Sequence, residues 1–121
     1  MSNKAKVLIV DDEYSFGKSL KTYLEKSGYE VLVTTSGEQA LDIIRDEKPA
    51  LMTLDIRMPG MDGYEVLQKA KRMQEDMKII VVTAIDVPRM EEMLAHSGAH
   101  AVKQKPVDLQ DLTAAIQSLL A

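Results

Sequence analysis

Four short segments of this 121-residue chain, three of them apolar runs, each lead into a side chain that can do chemistry. Asp11, Asp12 and Glu13 follow the run at 7–10, and Asp55 follows the run at 51–54. Thr83 closes the run at 79–82, and Lys105 follows the short segment 101–104. Carboxylates held close together repel, and at least one takes up a proton unless a cation sits among them. A hard divalent ion with oxygen ligands removes that repulsion, and Mg²⁺ suits a few carboxylates, several waters and an anionic oxygen. A hydroxyl and an ammonium opposite the ion would complete a clamp on the three oxygens of a phosphoryl group. Asp55 is then the natural nucleophile, since its place is between the metal ligands and the lysine, and carboxylates are accepted phosphoryl acceptors.

That chemistry requires a fold that brings four distant segments to one rim. Short β-branched and aliphatic runs at 7–10, 31–33, 51–54 and 79–82, and a weaker one at 101–102, alternate with helical spacing. Phe16, Leu20 and Leu24 fall at i, i+4 and i+8, while Leu109, Leu112, Ile116 and Leu119 form a stripe in the last helix. Ser36 with Gln39, and Asp62 with Glu65, have capping-box spacing. Asp108 reads as the cap of the last helix, and Gly28 and Gly98 stand where helices should stop. Five strands alternating with five helices predict a flavodoxin-like (βα)5 fold of the α/β class, a doubly wound parallel sheet. The fullest apolar runs belong at its centre and the short, polar fifth strand at an edge, which gives strand order 2-1-3-4-5. Ligands of such sheets bind beyond the carboxyl ends of the strands, where the strand order reverses. The rim residues therefore gather at the expected place.

Composition narrows the partners. The chain is 45% hydrophobic, enough for a real core, and with no cysteine it has neither disulfides nor a Cys-based zinc site. Fifteen Lys and Arg against nineteen Asp and Glu give a net charge of −4, which argues against nucleic-acid binding. Its apolar runs are far too short for a membrane span or a signal-peptide core, so a cytoplasmic domain spanning 1–121, without membrane contact, is expected. Gly17-Lys18-Ser19 copies the end of a phosphate-binding loop, but the position of that loop's first glycine is Asp12, whose carboxylate would repel the phosphates. ATP binding is not expected. The methionines read as core filler, and His96 and His100 as exposed residues, too few for a metal site.

Taken together, Val10-Asp11-Asp12-Glu13, Leu54-Asp55-Ile56-Arg57-Met58-Pro59-Gly60-Met61-Asp62-Gly63, Val82-Thr83-Ala84 and Lys105-Pro106 resemble, in order and spacing, the receiver domain of two-component response regulators, including the chemotaxis regulator. The resemblance covers essentially the whole chain. It implies that Asp55 takes a phosphoryl group from a histidine kinase or a histidine phosphotransfer protein. It implies that Asp12, assisted by Asp11, holds Mg²⁺ together with Asp55 and the backbone carbonyl of Arg57. Thr83 and Lys105 would bind the phosphoryl oxygens, and the Lys105–Pro106 bond would be cis. Such a domain is not an enzyme beyond slow self-catalysed phosphorylation and dephosphorylation. It would act on a downstream protein target or output domain through the face formed by residues 87–95, the fifth strand and the last helix, where a homodimer would also form. Two positions depart from the family pattern. Val102 stands where Tyr or Phe is usual, and Lys103 where an aliphatic residue is usual. A haloacid-dehalogenase-type phosphatase would need an acid two residues after its nucleophile, where this chain has Arg57. A pseudo-receiver, used for binding alone, would lack the acidic pair, Asp55 or the lysine.

Overall fold

The computed structural model describes residues 4–57, 62–84 and 96–121. In chain order the elements are β1 (Lys6–Val10), α1 (Tyr14–Lys26), β2 (Glu30–Thr34), α2 (Gly37–Glu47), β3 (Leu51–Leu54), α3 (Gly63–Met73), β4 (Lys78–Thr83), β5 (Ala101–Gln104) and α4 (Leu109–Leu120). The expected helix over 87–95 and the turn at 58–61 lie outside the described residues. All five strands run parallel in the order β2-β1-β3-β4-β5. This is the predicted order.

The core explains the order. Alternate residues of a strand face opposite sides of the sheet. On one side Leu8, Val10, Met52, Leu54, Ile79 and Val81 pack with Ala40 and Ile44 of α2 and Val66, Leu67 and Ala70 of α3. On the other, Val7, Ile9, Leu51, Ile80 and Val82 pack with Leu20 and Leu24 of α1 and Leu112 and Ile116 of α4. Strands covered on both faces are apolar throughout, which is why β1, β3 and β4 are central. Gly17 lets α1 lie close on the sheet, because a Cβ there would come within 2.9 Å of Val33 Cγ1. It is an ordinary buried turn of α1, not part of a phosphate loop.

The helix ends refine the expected caps. Asp108 accepts from the Gln110 and Asp111 amides, and Gly28 (φ 95°) takes up the left-handed conformation after α1. Ser36 caps α2 by accepting from Gln39 N–H, but no reciprocal box forms. The Gln39 side chain instead bonds the Thr34 hydroxyl, which also accepts from Ser36 N–H, so the close Thr34 has taken both arms. Asp62 likewise caps α3 at Tyr64 N–H, while Glu65 pairs with Lys69 one turn further on. Met52 and Met77 fill the core as expected, whereas Met73 is exposed at the end of α3.

His96 and His100 are both exposed, yet His100 is bound. Its amide donates to Ile79 O (2.7 Å) and its ring Nδ1 accepts from Ile79 N–H (3.1 Å). Partial burial, and then the charges of Lys71 and Lys78, hold the ring pKa below the usual value near 6.5. The unfolded chain therefore takes up this proton more readily than the folded one. The contribution is present above the unfolded pKa and is lost as pH falls through the folded pKa. Urea unfolding at pH 7 and pH 5 should show a loss of less than about 1 kcal/mol from this residue, since solvent screens both lysines. His100→Gln should remove that part of the pH dependence.

Candidate functional site

The sheet ladder does not stop at the strand ends. Asp11 N–H donates to Thr34 O (3.1 Å), Asp55 N–H to Val10 O (2.9 Å) and Lys105 N–H to Thr83 O (2.7 Å). Each of these residues is the first beyond its strand, so its backbone is fixed while its side chain is free to leave the sheet. The register sets Val10 beside Leu54 and Thr83 beside Gln104, which puts Asp11 level with Asp55. By strand parity Asp11, Asp55 and Lys105 all lie on the side of α1 and α4.

Lys105 ties the rim together. Its Nζ lies 2.8 Å from Asp11 Oδ2, 2.9 Å from Glu13 Oε1 and 3.2 Å from Asp55 Oδ2. It also stands over the Phe16 ring, 4.7 Å from the centroid. The other oxygens of the two buried aspartates are held by backbone: Asp11 Oδ1 accepts from Glu13 N–H (2.8 Å) and Asp55 Oδ1 from Arg57 N–H (2.9 Å). Both turns bend the chain away from the sheet as it leaves the strand. Asp12 is exposed at the mouth, and Thr83 is buried at the end of β4. The Lys105–Pro106 bond is cis.

Burial raises the Asp11 pKa, and its bonds to Lys105 and to Glu13 N–H only partly oppose that. For Lys105 burial works the other way, but hydrogen bonds to Asp11 and Glu13 and the charges of Asp11 and Asp55 outweigh it and hold the pKa above the usual lysine range. Burial at Asp11 and the surrounding carboxylates at Lys105 thus favour the protonated form of each of these two groups. A divalent cation favours the charged form of the carboxylates instead. Oxygens of Asp11, Asp12 and Asp55 lie within 4.8 Å of one another, an all-carboxylate donor set that fits Mg²⁺.

The rim thus unites Asp11, Asp12, Asp55 and Lys105, as their strand-end positions predict. Arg57, two residues after Asp55, bonds it through its amide. Two residues of the site were not singled out by spacing. Glu13 was one carboxylate in a run of three, and Phe16 counted only as part of the α1 core stripe. The usable signal was position: both lie in the first turn after the β1 end, where a helix leaves the rim.

Comparison with known proteins gives a consistent family. The response regulator receiver domain family matches residues 7–117. The chain is 36% identical to sporulation initiation phosphotransferase F of Bacillus subtilis over 115 residues, 95% of this chain and 93% of that protein. It is 41% identical over 118 residues to the probable transcriptional regulator ycf27 of Cyanophora paradoxa; the match takes in 98% of this chain but only 49% of that protein. Among solved structures, a CheY-like response regulator receiver domain protein from Methanospirillum hungatei superposes with a TM-score of 0.93 at 35% identity, covering 98% of this chain and 94% of that one.

Proposed function

Because this chain belongs to the response regulator receiver domain family of two-component systems, we propose that Asp55 is its phosphoacceptor and that the donor is a histidine kinase or a histidine phosphotransfer protein. Response regulators take phosphate from kinases and act on output domains or targets. The observation that carries the reading is the convergence of three aspartates and Lys105 on one rim, with Lys105 bridging Asp11 and Asp55. An Asp55 oxygen attacks the donor phosphorus, the bond to the donor imidazole breaks, and the phosphoryl group remains on the carboxylate. Arg57 N–H and Lys105 fix the plane of that carboxylate before the attack. Thr83 and Lys105 hold the phosphoryl oxygens afterwards. Mg²⁺, held by Asp11, Asp12, Asp55 and the Arg57 carbonyl, supplies charge neutralisation when bound.

Turnover is slow in this reading. Position 57, two residues past the nucleophile, is an arginine and offers no acid or base for hydrolysing the acyl phosphate. The domain therefore signals instead of acting as a phosphatase. We place it in the cytoplasm, with a downstream protein or output domain as its target, and a homodimer forming through the face that includes β5 and α4.

Incubation with acetyl phosphate and Mg²⁺ should add one acyl phosphate by intact mass, and a chelator should prevent it. No label, or a label indifferent to Mg²⁺, would overturn the reading. Mg²⁺ at ten times its Kd should also raise stability by about 1.4 kcal/mol through linkage. Asp12→Ala should lose most of that rise; a variant that kept it would place the ion elsewhere.

A further inference from the structure

A lysine ammonium has three N–H donors, and here three carboxylate oxygens, on Asp11, Glu13 and Asp55, take all of them. A phosphoryl group arriving at Asp55 therefore meets a saturated Lys105, and one contact must be released. Asp11 is buried, and separating it from its cation would strand a charge in the interior. Asp55 is equally buried and must stay anionic and oriented by Lys105 until its oxygen attacks. The Glu13 side chain is 61% exposed, so water can take over its contact at little cost. Glu13 also lies outside the group of carboxylates able to share a metal ion. It is the exchangeable member of the three.

Building on the phosphoacceptor reading above, we propose that Glu13 is a positioning residue of this site. It holds the third N–H of Lys105 at rest and surrenders it to the incoming phosphoryl oxygen. The contact exists in the resting protein and is absent once the phosphoryl oxygens are bound. An interaction made only in the ground state slows the reaction that breaks it. Glu13 therefore acts as a brake on Asp55 labelling, set by how firmly it competes for Lys105.

Labelling by acetyl phosphate and Mg²⁺ tests this directly. In that reaction an Asp55 oxygen forms the new P–O bond, the bond from phosphorus to the acetyl oxygen breaks, and acetate leaves. Glu13→Gln keeps the size but weakens the competition, and should raise kcat/KM roughly threefold, the scale of an exposed ion pair. Glu13→Asp keeps the charge at the rim but is one methylene short of Lys105, and should be faster by a similar factor. The Lys105 ammonium signal in NMR should shift in both variants. Glu25→Gln changes net charge equally at the far end of α1 and should match the wild type. If Glu13→Gln is no faster, or if Glu13→Asp behaves as wild type while Glu13→Gln is faster, Lys105 exchange is not the brake and the proposal falls. A wild-type protein that takes no label overturns the phosphoacceptor reading and this proposal with it, whereas a labelled wild type with indifferent Glu13 variants overturns the proposal alone.

Discussion

Asp55→Asn is expected to take no phosphoryl label under conditions that label the wild type fully. The substitution preserves volume, and its amide oxygen can still accept from Arg57 N–H, as Asp55 Oδ1 does at 2.9 Å. What it removes is the nucleophile, because an amide oxygen is a far weaker donor of electrons to phosphorus than a carboxylate. The labelling rate should fall by at least about a thousandfold, the scale of losing a group that acts only in the transition state. The fold should not suffer. Removing one of the crowded carboxylates relieves repulsion, so the variant should melt no lower than the wild type without metal. Intact mass and thermal unfolding of the same sample separate the two effects. Undiminished labelling of a folded Asp55→Asn variant would move the acceptor to another residue.

Gly63→Ala should be the most damaging small substitution near the rim. Gly63 opens α3, and a Cβ there would stand 2.4 Å from Ile56 Cα and 2.6 Å from Ile56 O. Those neighbours are backbone and cannot rotate away as a side-chain tip would. Gly63 N–H also donates to Ile56 O (3.3 Å), so the helix start and the segment after Asp55 are in direct contact. Adding a methyl group must push α3 off the sheet or distort the Asp55–Arg57 turn. Overpacking against a fixed neighbour costs about 2–4 kcal/mol, and Tm should fall by about 10 °C. Because the strain falls on Ile56, surviving folded protein should also label more slowly. An unchanged Tm would mean that α3 can lift away freely.

The central strands were legible because burial on both faces leaves unbroken apolar runs, and Val7 to Val10 or Leu51 to Leu54 admits little else. The edge position of β5 was legible from its brevity and polarity. The rim aspartates followed from strand ends alone. Side-chain partners were harder, since spacing along the chain does not say which of several acceptors lies closest in space. Lys105 taken singly reads as a surface lysine, yet its side chain is only 10% exposed between carboxylates from two other strands. Gln39 has capping-box spacing from Ser36, but Thr34 stands closer to its side chain and wins it. Phe16 reads as core by its stripe with Leu20 and Leu24. It is partly core, and its ring face also meets the ammonium.

The order in which the rim residues leave the ribosome adds a temporal meaning to the sheet. Asp11 and Asp12 emerge first, then Asp55, and the bridging lysine comes fifty residues after Asp55, just past the last strand. Both strands that pair with β1 precede Lys105 in the chain, so a nascent chain of that length holds its acids without their counter-charge. Only when β5 docks beside β4 does Lys105 reach Asp11 and Asp55. The lysine that bridges the rim acids is thus the last of these charged residues to be made. A product stopped short of that point carries the acids but not their lysine.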